Sequence, residues 1–265
     1  MYFQTYSLSD IGKVRRRNED AFLEKFLKTE KGSKAVAMIV ADGMGGHKAG
    51  DVASSKVISV FEQNLDIENL HSIEQQLKNS IIEANNSIIN MSISKDEFKG
   101  MGTTCTAMIL ADEKCFIAHV GDSRAYLVRK KTIKQLTKDH TVAEHMVSFG
   151  MMTEEEAKLS PKRNVLMRAI GINEELEIDI LSPIDIEYND IFILCSDGLI
   201  EYLEEEEIKN IASEHDPETA CNKMIETANS RGGHDNITVQ ITKVLKSKKG
   251  GLLSNLKKMI ANTTF

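Results

Sequence analysis

Residues 36–47 read VAMIVADGMGGH: an unbroken apolar run, then an acid, then a glycine-rich turn. The run extends from Ala35 to Ala41 and is bounded by Lys34 and Asp42. It is far too short to cross a bilayer, and its β-branched and small residues predict a buried strand. Asp42 sits where that strand ends. An acid at the end of a buried strand needs a partner, whether a cation, an arginine or a backbone donor. A second stretch repeats the arrangement, with Ile191–Cys195 followed by Ser196-Asp197-Gly198.

Outward from these two, strand-like segments fall at Tyr2–Leu8, Ala21–Phe26, Thr103–Leu110, Lys114–Val120, Ala125–Val128, Leu176–Ile180 and Ile237–Val244. Residues Thr103 to Leu136 read as an antiparallel meander with turns near Asp112–Lys114, Gly121–Asp122 and Arg129–Lys131. Helical periodicity places Ile73, Leu77, Ile81, Ala84, Ile88 and Met91 on one stripe, and Val52, Ala53, Val57, Val60 and Phe61 on another. Asp216-Pro217-Glu218 predicts a helix start, with an N-cap, a proline in the first turn and an early acid. Glu204–Glu207 could gather a metal, but it reads better as the acidic first turn of a helix. Strands, then two helices, then many strands, then helices and a last strand give an α+β domain with helix-covered antiparallel sheets, not alternating βαβ units.

Composition bounds the function. The 265 residues hold 41% hydrophobic and 28% charged residues, the values of an ordinary globular protein, and suffice for one sizeable domain. Net charge is −7, and the last 23 residues carry six lysines and no acid, leaving −13 on residues 1–242. So acidic a body argues against nucleic acid as a partner. It suits a protein that gathers carboxylates around cations. The N-terminal MYFQTYSLSD has neither a basic nor an apolar region of the secretory kind. The four cysteines lie far apart with no CxxC pair, so buried free thiols and a cytoplasmic location are expected.

Four segments put acids at strand ends: Asn18-Glu19-Asp20, Asp42-Gly43, Ser196-Asp197-Gly198 and His234-Asp235-Asn236. Each alone is ordinary turn chemistry. Strand ends are rigid, however, and glycines beside them let an ion approach backbone carbonyls. All candidate donors are oxygens and the seven histidines are scattered, which favours Mg²⁺, Mn²⁺ or Ca²⁺ over zinc.

In order along the chain stand Arg15-x-x-Asn18-Glu19-Asp20, Asp42-Gly43-Met44-Gly45-Gly46-His47, Gly102-Thr103-Thr104, Gly121-Asp122-Ser123-Arg124, Ser196-Asp197-Gly198-Leu199 and Asp235-Asn236-Ile237-Thr238. This set resembles the PPM family of protein phosphatase 2C-like enzymes, in its bacterial branch, from about Tyr6 to Val244. The resemblance implies two antiparallel β-sheets packed as a sandwich with helices on both outer faces, plus a flap subdomain at residues 139–170. It implies a serine/threonine protein phosphatase that uses a hydroxide held between two Mn²⁺ or Mg²⁺ ions and that opposes a bacterial Ser/Thr kinase. Asp42 would bridge the metals. Glu19 and the Gly43 carbonyl would complete one site, Asp197 and Asp235 the other. Asp20 would act through coordinated water, and Asp122 with Asp197 would hold a third ion. Arg15 would grip the substrate phosphate, as its paired donors suit. Lys162 and Arg163 of the flap are candidate phosphopeptide contacts, as are Lys158 and Arg168. Met44 stands where eukaryotic members carry a histidine proposed as general acid; water on the third metal and His47 are the remaining candidates.

Other phosphoesterase classes fit poorly. Asp42 lacks a second aspartate two residues away, no Asn-His-Glu step occurs, and there is no P-loop. A pseudophosphatase would be expected to lose ligands, and every ligand position here is kept. A phosphoserine regulator of a sigma-factor pathway is the alternative substrate. A monomer is expected. The phosphatase domain is read as residues 1–244, with 245–265 a basic tail whose Leu252, Leu253, Leu256, Met259 and Ile260 would share a helical face. Docking on its own acidic body, or disorder, is preferred for this tail over a membrane surface or a partner. Deleting residues 248–265 is expected to leave hydrolysis of a small phosphoester intact; a large loss of turnover would make the tail part of the catalytic domain.

Overall fold

The strand β3 (Lys34–Met44) divides its side chains between two apolar layers, as a period of two requires. Ala35, Ala37, Ile39 and Ala41 join a core cluster with helices α1 (Gly50–Asn64) and α2 (Ile73–Ser94). Val36, Met38 and Val40 face the opposite way and join the layer between two sheets. Burial on both faces explains why the sequence of this strand shows no polar alternation. The small residues on its outer side let the two helices lie close. A computed structural model describes residues 1–29, 32–45, 49–65 and 72–246.

One sheet runs in the order β2 (Asp20–Lys28), β3, β5 (Cys105–Ala111), β6 (Lys114–Val120), β9 (Asp179–Asp185), with the short β4 (Gly102–Thr103) paired to the end of β3. The other runs β1 (Tyr2–Asp10), β11 (Ile237–Leu245), β10 (Ile191–Cys195), β7 (Arg124–Arg129), β8 (Thr132–Gln135). Every ladder is antiparallel. Helices α5 (Asp197–Ile200), α6 (Glu205–Glu214) and α7 (Pro217–Ser230) cover the second sheet, with Ile208, Ala212, Cys221 and Met224 in one core cluster with residues of β10 and β11. The expected sandwich with helices on both outer faces is therefore present. Residues 139–170 carry two short helices, α3 (Val142–Ser148) and α4 (Glu154–Leu159), and bridges Thr141 to Leu166 and Thr103 to Ile170 tie this flap at its base.

The expected helix starts hold. Asp216 caps α7 by accepting the Thr219 N–H at 3.2 Å, with Pro217 first in the helix. Glu204 caps α6 in a reciprocal pair with Glu207, so the acidic run serves the helix and not a metal. The meander does not hold. The β6–β7 turn at Gly121–Ser123 carries the chain from one sheet to the other, because β7 pairs with β10 and β8 only. The strand placed at Leu176–Ile180 starts later, at Asp179; Leu176 and Ile178 instead pack against the helix-side core outside any ladder. β11 ends at Leu245, and the tail helix, like Gly46 and His47, lies outside the described residues.

The same alternation places the acids. Asp42 continues the face of Val36, Met38 and Val40, and Asp20 is its partner across the β2–β3 ladder. Both carboxylates fall at one end of the inter-sheet layer. There the opposite sheet offers Ser196 and Thr238, whose hydroxyls donate to Asp20 Oδ2 at 2.7 and 2.6 Å. Backbone packing is tight at this end: a Cβ on Gly198 would stand 2.1 Å from the Asn236 carbonyl oxygen. That neighbour is main chain and cannot swing away. Gly198→Ala is predicted to lower stability by about 3 kcal/mol, read from the urea unfolding midpoint.

Candidate metal centre

The site grows from four connections (β1–β2, β6–β7, β10–α5 and α7–β11) and the end of β3, which converge on the polar end of the sandwich. The β1–β2 loop carries Arg15, Asn18 and Glu19, and a single buried side chain shapes it. Asn236 donates from Nδ2 to the carbonyls of Ile11 and Arg17, each at 2.9 Å, and accepts the Glu19 N–H at 2.8 Å. Asn18 orients the next turn, accepting from Asp20 N–H at 3.1 Å. The first loop is thus fixed to the residue that follows Asp235.

Asp42 is held by its backbone. Its N–H donates to Thr104 Oγ1 at 2.9 Å, and its carbonyl accepts from Thr104 N–H and Thr103 Oγ1 at 2.9 and 2.8 Å. The Thr104 hydroxyl also meets Ser123 Oγ at 2.8 Å. One threonine therefore links Asp42 to the turn that bears Asp122. Gly43 donates to the Glu19 carbonyl at 3.1 Å, and a Cβ there would lie 2.2 Å from the Gly50 carbonyl oxygen. Only glycine lets β3, the Glu19 backbone and the start of α1 meet so closely.

The electrostatics are those of a crowded anionic well. Burial raises the Asp42 carboxyl well above its usual range, and Asp20, Asp197, Asp122 and Asp235 raise it further. Asp122 is raised by burial, then by Asp197 and Asp139. Asp20 rises to about 7 by burial, although the Thr238 and Ser196 hydroxyls oppose this; Asp197 rises to about 6 by burial and Asp235. The neighbouring Asp42 carboxyl partly offsets the rise at Asp197. Glu19 is raised by burial and Asp51. The Arg15 guanidinium lies among them and is engaged with Asp235 at 2.6 Å.

Among the described residues no three His, Cys, Asp or Glu side chains form a ready-made coordination cluster. The donor set nevertheless fits hard divalent cations. Asp42, Asp197, Asp20, Asp122, Asp235 and Glu19 are oxygen donors that disfavour one another's charge, and Asp20 Oδ1 is buried with no hydrogen-bond partner. A buried carboxylate oxygen so oriented is costly unless a cation or a bound water meets it. Among the flap cations, Arg163 pairs with Glu201 at 3.1 Å, just beyond α5, and Lys158 with Glu204 at 3.6 Å. Arg168 pairs with Asp179 and Glu177 at 2.9 and 2.7 Å. Lys162 is exposed and makes no ion pair among the described residues. Met44 packs over Gly102, its Cε 2.9 Å from where a Cβ on that glycine would lie.

A sequence model described as Protein phosphatase 2C matches residues 4–145. The chain belongs to the protein phosphatase 2C family. It is 36% identical over 250 residues to a serine/threonine phosphatase stp of Listeria welshimeri, covering 91% of this chain and 96% of that one. Its fold is similar to the crystal structure of the Mycobacterium tuberculosis serine/threonine phosphatase PstP/Ppp, with a TM-score of 0.84, 32% identity and coverage of 92% and 99%. A catalytic domain of PstP in complex with two manganese ions is similar at a TM-score of 0.81 and 32% identity, again covering 92% and 99%. The family resemblance drawn from six motifs, and the fold it implied, are borne out.

Thr104, Asn236, Ser196 and Thr238 position the carboxylates, a role that sequence reading missed. Their only signal was membership of the motifs, since a hydroxyl beside an acid is unremarkable until the two sheets meet. Thr104→Val removes the acceptor of the buried Asp42 N–H. It is predicted to cost about 1–3 kcal/mol in thermal or urea unfolding of the metal-free protein.

Proposed function

We propose that this phosphatase hydrolyses phosphoserine and phosphothreonine in proteins with Mn²⁺ or Mg²⁺, and that it opposes a bacterial Ser/Thr kinase as a cytoplasmic monomer. The enzyme class follows from family membership. The observation that carries the metal reading is the well of mutually repelling carboxylates, with the partnerless Asp20 Oδ1 buried inside it. In this reading Asp42, Glu19 and the Gly43 carbonyl would hold one ion, Asp42 with Asp197 and Asp235 a second, and Asp122 with Asp197 a third, with Asp20 oriented behind them. Bound cations supply Lewis acidity, lowering the pKa of water and offsetting charge on the phosphoryl oxygens.

The chain's own groups do the rest. Arg15 exchanges Asp235 for the phosphate, donating in parallel to two of its oxygens. Its present ion pair keeps it at the mouth of the well and is half-exposed, so the exchange is of low cost. Lys162 and Arg163 lie on the flap, where a peptide flanking the phosphate would pass. Among described residues the position of Met44 brings no proton donor, and the leaving alkoxide takes its proton from water or from His47.

Hydrolysis of p-nitrophenyl phosphate with and without Mn²⁺, on wild type and Asp42→Asn, tests the reading. Turnover is expected only with the metal, and Asp42→Asn is expected to lower kcat/KM by at least about a hundredfold. A folded wild type with no metal-dependent turnover would overturn the enzyme assignment.

A further inference from the structure

His140 lies at the root of the flap, is 8% exposed, and bonds to the turn that carries Asp122 from both its backbone and its side chain. Its N–H donates to the Gly121 carbonyl at 2.7 Å, and its Nδ1 accepts the Gly121 N–H at 3.1 Å. With Nδ1 an acceptor, the ring proton sits on Nε2, 3.2 Å from Asp179 Oδ2 on the edge strand β9. Burial lowers the pKa of this ring, which keeps it in the neutral form the contacts need. Its carbonyl accepts from Met167 N–H at 2.8 Å, where the flap returns.

The turn it holds cannot choose its own conformation freely. Gly121 has φ of +113°, and the Thr104 side chain fills the space beside it, 2.5 Å from where a Cβ would stand. Asp122 hangs from this glycine. Beneath, the His119 ring lies 4.7 Å from His140 and reaches Lys138 O from Nε2 at 3.1 Å, so the segment entering the flap is fixed as well. None of these contacts involves substrate or a carboxylate of the well.

We propose that His140 is a positioning residue for the reaction: it clasps the Gly121–Asp122 turn to both ends of the flap and thereby sets the Asp122 carboxylate over the well. The inference rests on the reading of Asp122 as a cation ligand. It gives the flap and the outermost metal site a shared mechanical anchor.

Two amide variants separate the ring's contact with Gly121 from its contact with Asp179. In H140N the amide oxygen stands near the Nδ1 position and can still accept from Gly121. In H140Q the amide nitrogen reaches toward Asp179 and that acceptor is lost. Hydrogen exchange of the Gly121 amide in the metal-free protein is expected to stay slow in H140N and to quicken at least about tenfold in H140Q. With Mn²⁺, calorimetric titration of H140Q is expected to show its weakest binding event weakened further. Its kcat on p-nitrophenyl phosphate should fall about tenfold with KM little changed, while H140N stays within about threefold of wild type. Unchanged exchange and Mn²⁺ binding in H140Q, or a folded H140N as impaired as H140Q, would overturn the inference. If H140Q does not fold, a folded H140N decides alone: loss of Gly121 protection or of more than about threefold in kcat overturns it. An inactive wild type removes the metal reading beneath it, whereas an active wild type with indifferent variants removes this inference only.

Discussion

Placing several carboxylates in a layer otherwise filled with Val36, Met38, Val40, Phe192 and Leu194 is the constraint on which the rest of this molecule depends. Asp42, Asp122, Asp20 and Asp197 give up hydration and sit in the field of neighbouring acids, so burial and repulsion both push protons onto them. The surrounding structure does not neutralise the well. It supplies hydroxyls to Asp20, backbone donors and acceptors around Asp42, and Arg15 at the rim. That balance leaves the well short of positive charge while holding its walls rigid, which is the condition for binding divalent cations.

Rigidity comes largely from close main-chain contact. Gly43 against Gly50 and Gly198 against Asn236 each bring two backbones nearer than a Cβ would allow, and Gly121 admits the Thr104 side chain in the same way. Small groups then cross-link the segments: Asn236 spans the β1–β2 loop, and Thr104 spans Asp42 and the Asp122 turn. The flap is fastened to the same turn through His140, so a surface subdomain and a carboxylate in the well share one fixed point. The anionic site is therefore tied into the fold at every loop that contributes to it.

Much of this was readable in the chain. Both apolar runs that end in acids were visible, because a strand buried on two faces shows no alternation. The caps of α6 and α7 were visible because they are local chemistry of a few adjacent residues. Six ordered motifs identified the family. The meander was misread because hydropathy reports that a strand is buried but not which sheet it joins. A positive-φ glycine at 121 sends β7 across the sandwich, and nothing in the alternation of residues 114–128 signals that change.

What the sequence determined by itself was the class of fold, the family and the identity of the acids. Those depend on periodicity and on short motifs, which are properties of neighbours in the chain. What only the tertiary structure decided was the company each acid keeps. Asp20 meets hydroxyls 176 and 218 residues away, and Arg15 meets Asp235 across a separation of 220. His140 meets Gly121 across the β7–β8 hairpin, and meets Asp179 of β9 only after the flap has departed and returned. Contacts of that kind are set by sheet register and by the close approach of two sheets, and local pattern carries no record of either.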